Sequence, residues 1–195
     1  MLTAEAKGMR HVRGILFRDY VRMLRAQKDV EWDQHLPAED VALLASCIDP
    51  DGWYPMASFE RMGNEVLRTT AVGQLSLVQL WGRFSAGQLR AANPMLLAAL
   101  DPVETVNRFR VLRETFFDFA ALDVRLLHED EAQLAVRYHM AMPAEEAAAV
   151  QTLGFFEGLL ELAGAREIRG TFRSKAWADA PETVIDLTWQ SAPGR

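Results

Sequence analysis

Hydrophobic positions follow two different periods along this chain, and the change comes near Phe117. Before that residue, apolar side chains recur at the spacing of amphipathic helices. After it, segments alternate between apolar and polar residues, as half-buried strands do. The pattern predicts a mostly helical N-terminal half followed by a compact unit of strands around one long helix.

The N-terminal half contains a series of predicted helices separated by turn signals. They are predicted at residues 10–27, 38–47, 56–70, 76–89, 94–100 and 101–117. The last begins at Asp101-Pro102, an N-cap residue followed by a proline at the first helical position. Apolar residues of the 76–89 helix form a large face that we expect to be buried: Leu77, Leu80, Trp81 and Phe84.

The C-terminal half is predicted to be an antiparallel β-β-α-β-β unit. Strands are predicted at residues 122–127, 133–142, 168–172 and 183–189, with a helix at 143–163. Gly164 follows that helix and is predicted to end it as a C′ glycine. Gly154 and Gly158 lie one turn apart, which would let the helix approach the sheet closely.

The expected fold class is α+β, with one domain over residues 10–189. The helical part would comprise residues 10–117 and the sheet-plus-helix part residues 118–189. Residues 1–9 are expected to form a flexible leader, and residues 190–195 a frayed tail.

Charge and composition argue against several classes of function. The net charge of −6 gives no general attraction to nucleic acids or anionic lipids. The single cysteine, Cys47, excludes an intrachain disulfide and a cysteine-based zinc site. Since no signal peptide or membrane-spanning apolar run is visible, we expect a cytoplasmic protein that binds neither nucleic acid nor membrane.

The order of these elements and several short segments resemble a known superfamily. The segments are Trp53-Tyr54-Pro55, Leu80-Trp81-Gly82-Arg83-Phe84, Gly154-Phe-Phe-Glu-Gly158 and a last strand ending at Trp189. Over roughly residues 10–189, the chain is similar to the haem-NO-binding (H-NOX) and 4-vinyl-reductase-like proteins. It is most similar to their haem-less relatives of about this length in myxobacteria. The resemblance implies a helical subdomain packed on an antiparallel sheet, with a ligand cleft between them.

The chain departs from this superfamily at the positions that hold cofactors. The resemblance implies a haem-ligating histidine on the helix before the sheet, but the 101–117 helix has none. The propionate-binding Tyr-x-Ser-x-Arg motif reads Tyr138-His-Met140-Ala-Met142, and thioethers cannot clamp carboxylates. Ser174 and Thr183 stand near where the reductase-like domains often carry two cysteines. These departures predict a pocket with neither cofactor nor metal.

Other reactive residue types have structural explanations. His139 is a possible haem ligand or general base, but its strand position favours a solvent-facing side chain. His11, His35 and His128 lack a second metal ligand at useful spacing. Cys47 is expected to be a buried structural thiol rather than a nucleophile, and the acidic residues 129–131 suit a solvated hairpin turn.

The predicted pocket lies between the 75–84 and 103–116 helices and the strand that bears Tyr138. Its candidate lining residues are Trp81, Phe84, Phe109, Phe116, Tyr138, Met140 and Met142. Because no catalytic motif is visible, the sequence favours a non-catalytic ligand-binding or protein-interaction module of a sensor. The expected partners are an apolar small molecule, another protein or a second copy of the chain.

The sequence is also compatible with two other functions. One is a haem or gas sensor with atypical ligation, for example through His139. The other is an enzyme that acts on an apolar or tetrapyrrole-like substrate. Its acid–base groups would come from Tyr138, His139 and Glu157.

Overall fold

The structure, a computed structural model, describes residues 9–191. The predicted leader, apart from Met9, and the last four residues of the predicted tail lie outside the described residues. The chain divides into two compact units. One contains the residues up to Gly73 together with Thr115–Phe119, and the other contains Gln74–Glu114 and the residues from Ala120 onward.

The first unit is a small helical layer with a two-stranded ribbon. Its elements are β1 (His11–Arg13), α1 (Gly14–Ala26), α2 (Ala38–Ala45), β2 (Trp53–Pro55) and α3 (Met56–Thr69). Strands β1 and β2 pair antiparallel. Helices α1 and α3 meet through aromatic stacking, with the rings of Tyr20 and Phe59 centred 4.6 Å apart. The buried carboxylate of Asp40 is neutralised by Arg61, at 2.5 Å.

The second unit combines three helices with a four-stranded sheet. The helices are α4 (Leu75–Ala92), α5 (Pro102–Leu112) and α6 (Ala144–Leu162). The N-cap predicted at Asp101 is present, since its carboxylate accepts a hydrogen bond from the Glu104 N–H at 2.9 Å. Gly164 has φ +89°, as a residue that ends a helix in the left-handed conformation should.

The sheet has the antiparallel arrangement that the sequence predicts. Its strands are β3 (Leu122–Leu127), β4 (Glu131–Val136), β5 (Arg166–Ser174) and β6 (Thr183–Gln190), in the spatial order β3-β4-β6-β5. On β6 the buried residues Ile185, Leu187 and Trp189 alternate with more exposed ones. The α+β fold class is therefore confirmed. Among the described residues, no helix has the length and apolar content to cross a bilayer.

Helix α6 packs against α4 through close backbone contacts, which we call the α4–α6 seam. Three glycines make these contacts possible: Gly82, Gly154 and Gly158. A Cβ atom on Gly82 or Gly154 would collide with a carbonyl oxygen of the other helix. A Cβ on Gly158 would lie 2.7 Å from the Arg83 carbonyl oxygen. The prediction that Gly154 and Gly158 face the sheet is therefore wrong. Helix α6 meets the sheet instead through Leu153, which lies over Gly170 of β5.

The buried side of α4 was also assigned wrongly from the sequence. Leu80 and Phe84 are 44% and 65% exposed, whereas Val78, Gly82, Ala86 and Leu89 are buried. The physical reason is the short distance between the two helices. At the seam only small side chains fit, so the largest apolar residues of α4 lie on other sides.

Several predicted boundaries differ from the structure. The helix predicted to reach residue 117 ends as α5 at Leu112. Residues 11–13 form β1 rather than helix, because Val12 pairs with Tyr54. The helix predicted at 94–100 is a single 3₁₀ turn at Pro94–Leu96. Strand β4 ends at Val136 rather than at residue 142, since the chain turns at His139, whose φ is +53°.

Candidate functional site

A partly open cleft of about 340 Å³ lies in the second unit, where two loops meet. One wall is the 137–145 segment, which follows β4 and includes the first turn of α6. The other is the 176–182 segment, which connects β5 to β6. Since β4 and β6 are paired strands, the end of one and the start of the other bring these segments together.

The 137–145 segment is held by a buried carboxylate. The backbone N–H of Met140 donates to Oε2 of Glu145 at 2.7 Å. Glu145 lies in the first turn of α6 and is only 3% exposed, a position where the helix dipole favours negative charge. Met142 precedes a cis proline peptide and is 52% exposed. The segment thus presents a carboxylate and two thioethers to the cleft.

The 176–182 segment contributes an aromatic ring and further acidic groups. Trp177 lies at 84° to Phe172, with ring centroids 5.1 Å apart. The ammonium group of Lys175 lies 5.8 Å from the centroid of the Trp177 ring. Asp179 is exposed and has φ +64°, a conformation that Asp tolerates better than most residues. The N–H of Ala176 donates to the Thr183 hydroxyl at 3.0 Å, which ties the segment to β6.

Two arginines neutralise Glu182 at the edge of the cleft. Its carboxylate is 2.8 Å from Nε of Arg137 and 2.5 Å from a guanidinium nitrogen of Arg125. Burial acts to raise the pKa of Glu182, but the hydrogen bonds from these two guanidinium groups outweigh it and hold the pKa below its ordinary value. Glu182 is therefore an ionised and already paired member of the lining.

Tyr138, the tyrosine that the resemblance places in a propionate-binding motif, is bound inside the unit. Its hydroxyl lies 2.7 Å from the hydroxyl of Thr152 on α6, and its side chain is 7% exposed. Burial raises the pKa of Tyr138 to about 12, and the charge of Glu145 acts in the same direction. Tyr138 therefore fixes the segment to α6 and is a weak proton donor near neutral pH.

The residues predicted to line one pocket occupy different environments. Phe109 packs against Phe155 and Phe156, with ring centroids 5.1 and 4.9 Å away, so aromatic side chains fill the space between α5 and α6 there. Trp81 is half-buried and Phe84 is exposed. Phe116 is buried and belongs to the other unit. Of the predicted set, Met140 and Met142 line the cleft.

The histidines and the cysteine lie in separate places. His11 pairs with Asp118 at 2.6 Å in the first unit. His35 and His128 are exposed, and His139 lines the cleft. Cys47 is exposed, so the expected buried thiol is wrong. Over residues 9–191, no group of three or more His, Cys, Asp or Glu side chains is placed to hold a metal ion.

Several cleft residues were not identified from the sequence. Glu145, Trp177, Asp179 and Glu182 carried no recognisable motif. A partial signal was present in Ala176-Trp-Ala-Asp-Ala-Pro181, because a tryptophan in a polar connection between two strands has no obvious place in a core. That this connection meets the 137–145 segment depends on strand pairing, which the local pattern does not encode.

Comparison with solved structures gives a consistent answer about the fold. An H-NOX protein from K. algicida in the Fe(II) unliganded state superposes with a TM-score of 0.64 and 14% identity, covering 94% of this chain and 99% of that one. The chain therefore has an H-NOX-like fold. An H-NOX protein from S. oneidensis in the Fe(II) ligation state gives a TM-score of 0.62 and 12% identity, with 93% and 98% covered.

A structure described as probing haem distortion in the H-NOX family gives a TM-score of 0.61 at 13% identity, covering 94% of this chain and 97% of that one. No protein-family model and no curated protein sequence matches the chain. At identities this low, the likeness establishes the fold alone. It confirms the H-NOX-like architecture that the resemblance implied.

The residues of this H-NOX-like chain do not fit a haem held as the resemblance implies. Helix α5, which precedes the sheet, contains no histidine. At the motif that would bind propionates, Met140 donates its backbone N–H to a carboxylate, and Met142 replaces the guanidinium. A buried carboxylate beside this segment would repel a propionate.

Proposed function

We propose that this protein is a non-catalytic, haem-free sensor module that binds a small molecule in the cleft between the 137–145 and 176–182 segments. The observation that carries the proposal is the exchange of chemistry at one place in an H-NOX-like fold. Where the resemblance implies groups for propionates, the chain presents Met140, Met142 and the Glu145 carboxylate beside an open cleft. A volume of about 340 Å³ suits a small ligand.

The candidate acid–base groups support a non-catalytic role. Tyr138 is bonded to Thr152 at 2.7 Å, and burial raises its pKa away from neutrality. Glu157 accepts hydrogen bonds from Gln79 at 2.9 Å and from Arg83 at 3.4 Å. These contacts are structural, since they join α4 and α6 or fasten the 137–145 segment. His139 is the remaining candidate and lines the cleft.

A haem or gas sensor is the second candidate, because the solved structures similar to this chain include H-NOX proteins in Fe(II) states. His139, as a lining residue of the cleft, would be its axial ligand. A haem bound through His139 would give a Soret absorption band, whereas a haem-free module would give none.

The test is to titrate the purified full chain with hemin and, separately, with a library of small fragments. With hemin, we expect no stoichiometric Soret band of a histidine-ligated haem. With some fragments, we expect saturable changes in the amide NMR chemical shifts of the 137–145 and 176–182 segments. A stoichiometric Soret band that His139→Ala removes and His128→Ala retains would establish the haem sensor instead. Fragment shifts confined to other parts of the chain would remove the cleft as the binding site.

We also propose protein association through exposed apolar residues of α4. Leu80 and Phe84 lie one turn apart on α4 and expose 44% and 65% of their surface, and neighbouring exposed apolar side chains are typical of association surfaces. Sedimentation of the wild type and Phe84→Ser measures whether these side chains hold two copies together.

A further inference from the structure

The charge on the walls of the cleft indicates what kind of ligand it accepts. Among the described lining residues, three are carboxylates, Glu145, Asp179 and Glu182, and one is a guanidinium, Arg137. Arg137 lies 2.8 Å from Glu182, so its charge is directed to that carboxylate. His139 adds a positive charge only when it is protonated. Arg125 also pairs with Glu182, at 2.5 Å, so the negative charge of the lining comes from Glu145 and Asp179. These two carboxylates disfavour an anionic ligand.

The aromatic ring in the wall already lies close to a cation. The Lys175 ammonium nitrogen lies 5.8 Å from the Trp177 ring centroid, within the range of a cation–π contact. Tryptophan is the side chain that attracts cations most strongly in this way. Lysine carries its ammonium group on a flexible stem and can move aside. A ligand cation can therefore take the place of Lys175 beside this ring.

The two thioethers favour an organic cation over a metal ion. Met140 and Met142 line the cleft with polarisable, apolar groups that accommodate methyl and methylene groups. Hard metal ions instead need several oxygen ligands in close geometry. The described carboxylates and histidines form no group placed for that purpose.

We propose that the cleft binds a small organic ammonium ion, with its charge facing Trp177 and the carboxylates and its alkyl groups on Met140 and Met142. This inference rests on the proposed function and specifies the class of ligand. The ring, the carboxylates and the thioethers come from segments that β4 and β6 bring together, about forty residues apart in the sequence. The volume of about 340 Å³ limits the ligand to a small one.

The experiment compares three ligands of nearly the same shape on the full chain. The first is choline. The second is the neutral alcohol in which a tert-butyl group replaces the trimethylammonium group. The third is the carboxylate anion tert-butylacetate (3,3-dimethylbutanoate). Amide and indole NMR signals report binding in the 137–145 and 176–182 segments. We expect choline to bind at least about tenfold more tightly than the alcohol, and tert-butylacetate to give no saturable shift.

Matched variants identify the groups responsible. Trp177→Leu should abolish the preference for choline, whereas Trp53→Leu, at an exposed tryptophan of the other unit, should retain it. Asp179→Asn keeps a residue type that tolerates a positive φ and should weaken choline binding alone. Lys175→Met removes the ammonium group that competes for the ring and should tighten choline binding. A purely structural role for Lys175 would instead change the affinities of choline and the neutral alcohol alike.

The outcomes separate this inference from the proposed function. Equal affinity for choline and the neutral alcohol, or a preference for tert-butylacetate, overturns the cation proposal while the cleft remains a ligand site. If none of the three ligands gives saturable NMR shifts, the cation proposal is wrong. If the fragment library also gives no shift in these segments, the proposed function fails with it.

Discussion

The α4–α6 seam and the cleft belong to the same unit but use helix α6 in opposite ways. Along the seam, Gly154 and Gly158 bring the backbone of α6 against α4 and leave no room for side chains. At its N-terminal end, α6 presents Glu145 to a cleft of about 340 Å³. The comparison shows that the same helix supplies rigidity along its length and an open polar site at one end.

This difference is what the proposed function requires, because it separates the architecture of the H-NOX-like fold from the residues of the cleft. The seam, the buried strands and the aromatic contacts between α5 and α6 fix the helices on the sheet. The cleft is built from two loops at the end of that scaffold. Loop residues can be exchanged without disturbing the packed interior, so the proposed ligand site can differ while the scaffold stays the same.

The largest test of this comparison removes a ring from the packed interior. Phe156 is fully buried and packs edge-on against Phe109 at 4.9 Å. Phe156→Ala should lower the free energy of unfolding by about 3–5 kcal/mol through lost burial and a cavity. Phe84→Ala, at a 65% exposed position of α4, should change it by less than about 1 kcal/mol. Urea unfolding measures both, and equal losses would mean that Phe84 is covered in solution.

A second test compares two glycines by adding the same methyl group. At Gly154 a Cβ would collide with the carbonyl oxygen of Gln79, so Gly154→Ala should destabilise the protein by about 1–3 kcal/mol. At Gly87, on α4, a Cβ would have no neighbour within 4 Å. Gly87→Ala should therefore stabilise the helix by about 0.5–1 kcal/mol.

Thermal unfolding of both variants gives the comparison directly. Opposite signs are the expected result. A neutral or stabilising Gly154→Ala would show that α4 and α6 do not approach through their backbones at this position.

The smallest expected effect is at the cleft and depends on pH. Glu182 has a lowered pKa in the folded state, so its pairing with Arg125 and Arg137 stabilises the protein above the unfolded value of about 4.5. That contribution is lost as the pH falls through the lower, folded-state pKa. Glu182→Gln should cost about 0.5–1 kcal/mol at neutral pH, because the group is partly exposed.

Unfolding free energies measured from neutral to acidic pH test this expectation. The difference between wild type and Glu182→Gln should shrink below about pH 4.5. Glu129→Gln, in the exposed turn between β3 and β4, is the matched control for the same change of side chain elsewhere on the surface. A difference that stays constant over this range would contradict the pairing of Glu182.

The sequence predicted this fold better than it predicted the site. The period of the apolar residues located α3 and β3 to within a residue of each end, and Asp101 and Gly164 marked helix ends. These features depend on neighbours within one or two turns, so a local pattern records them. The resemblance to H-NOX proteins rested on the same order of elements, and the solved structures confirm it as a fold.

The candidate site depended on contacts that the local pattern does not contain. The sequence identified Met140 and Met142 but assigned the large residues Trp81 and Phe84 to the same pocket. Large apolar residues are ordinarily expected to be buried. At a close helix–helix contact this expectation reverses, since Gly82 and Ala86 occupy the buried side of α4.

The sequence by itself determined the types and order of the elements, the α+β class and the absence of a histidine from α5, because each follows from residues close together in the chain. The tertiary structure decided which side of α4 is covered and which loops form a cleft. Both depend on the distance between backbones that are remote in sequence. That distance is set by packing and strand pairing over the whole unit.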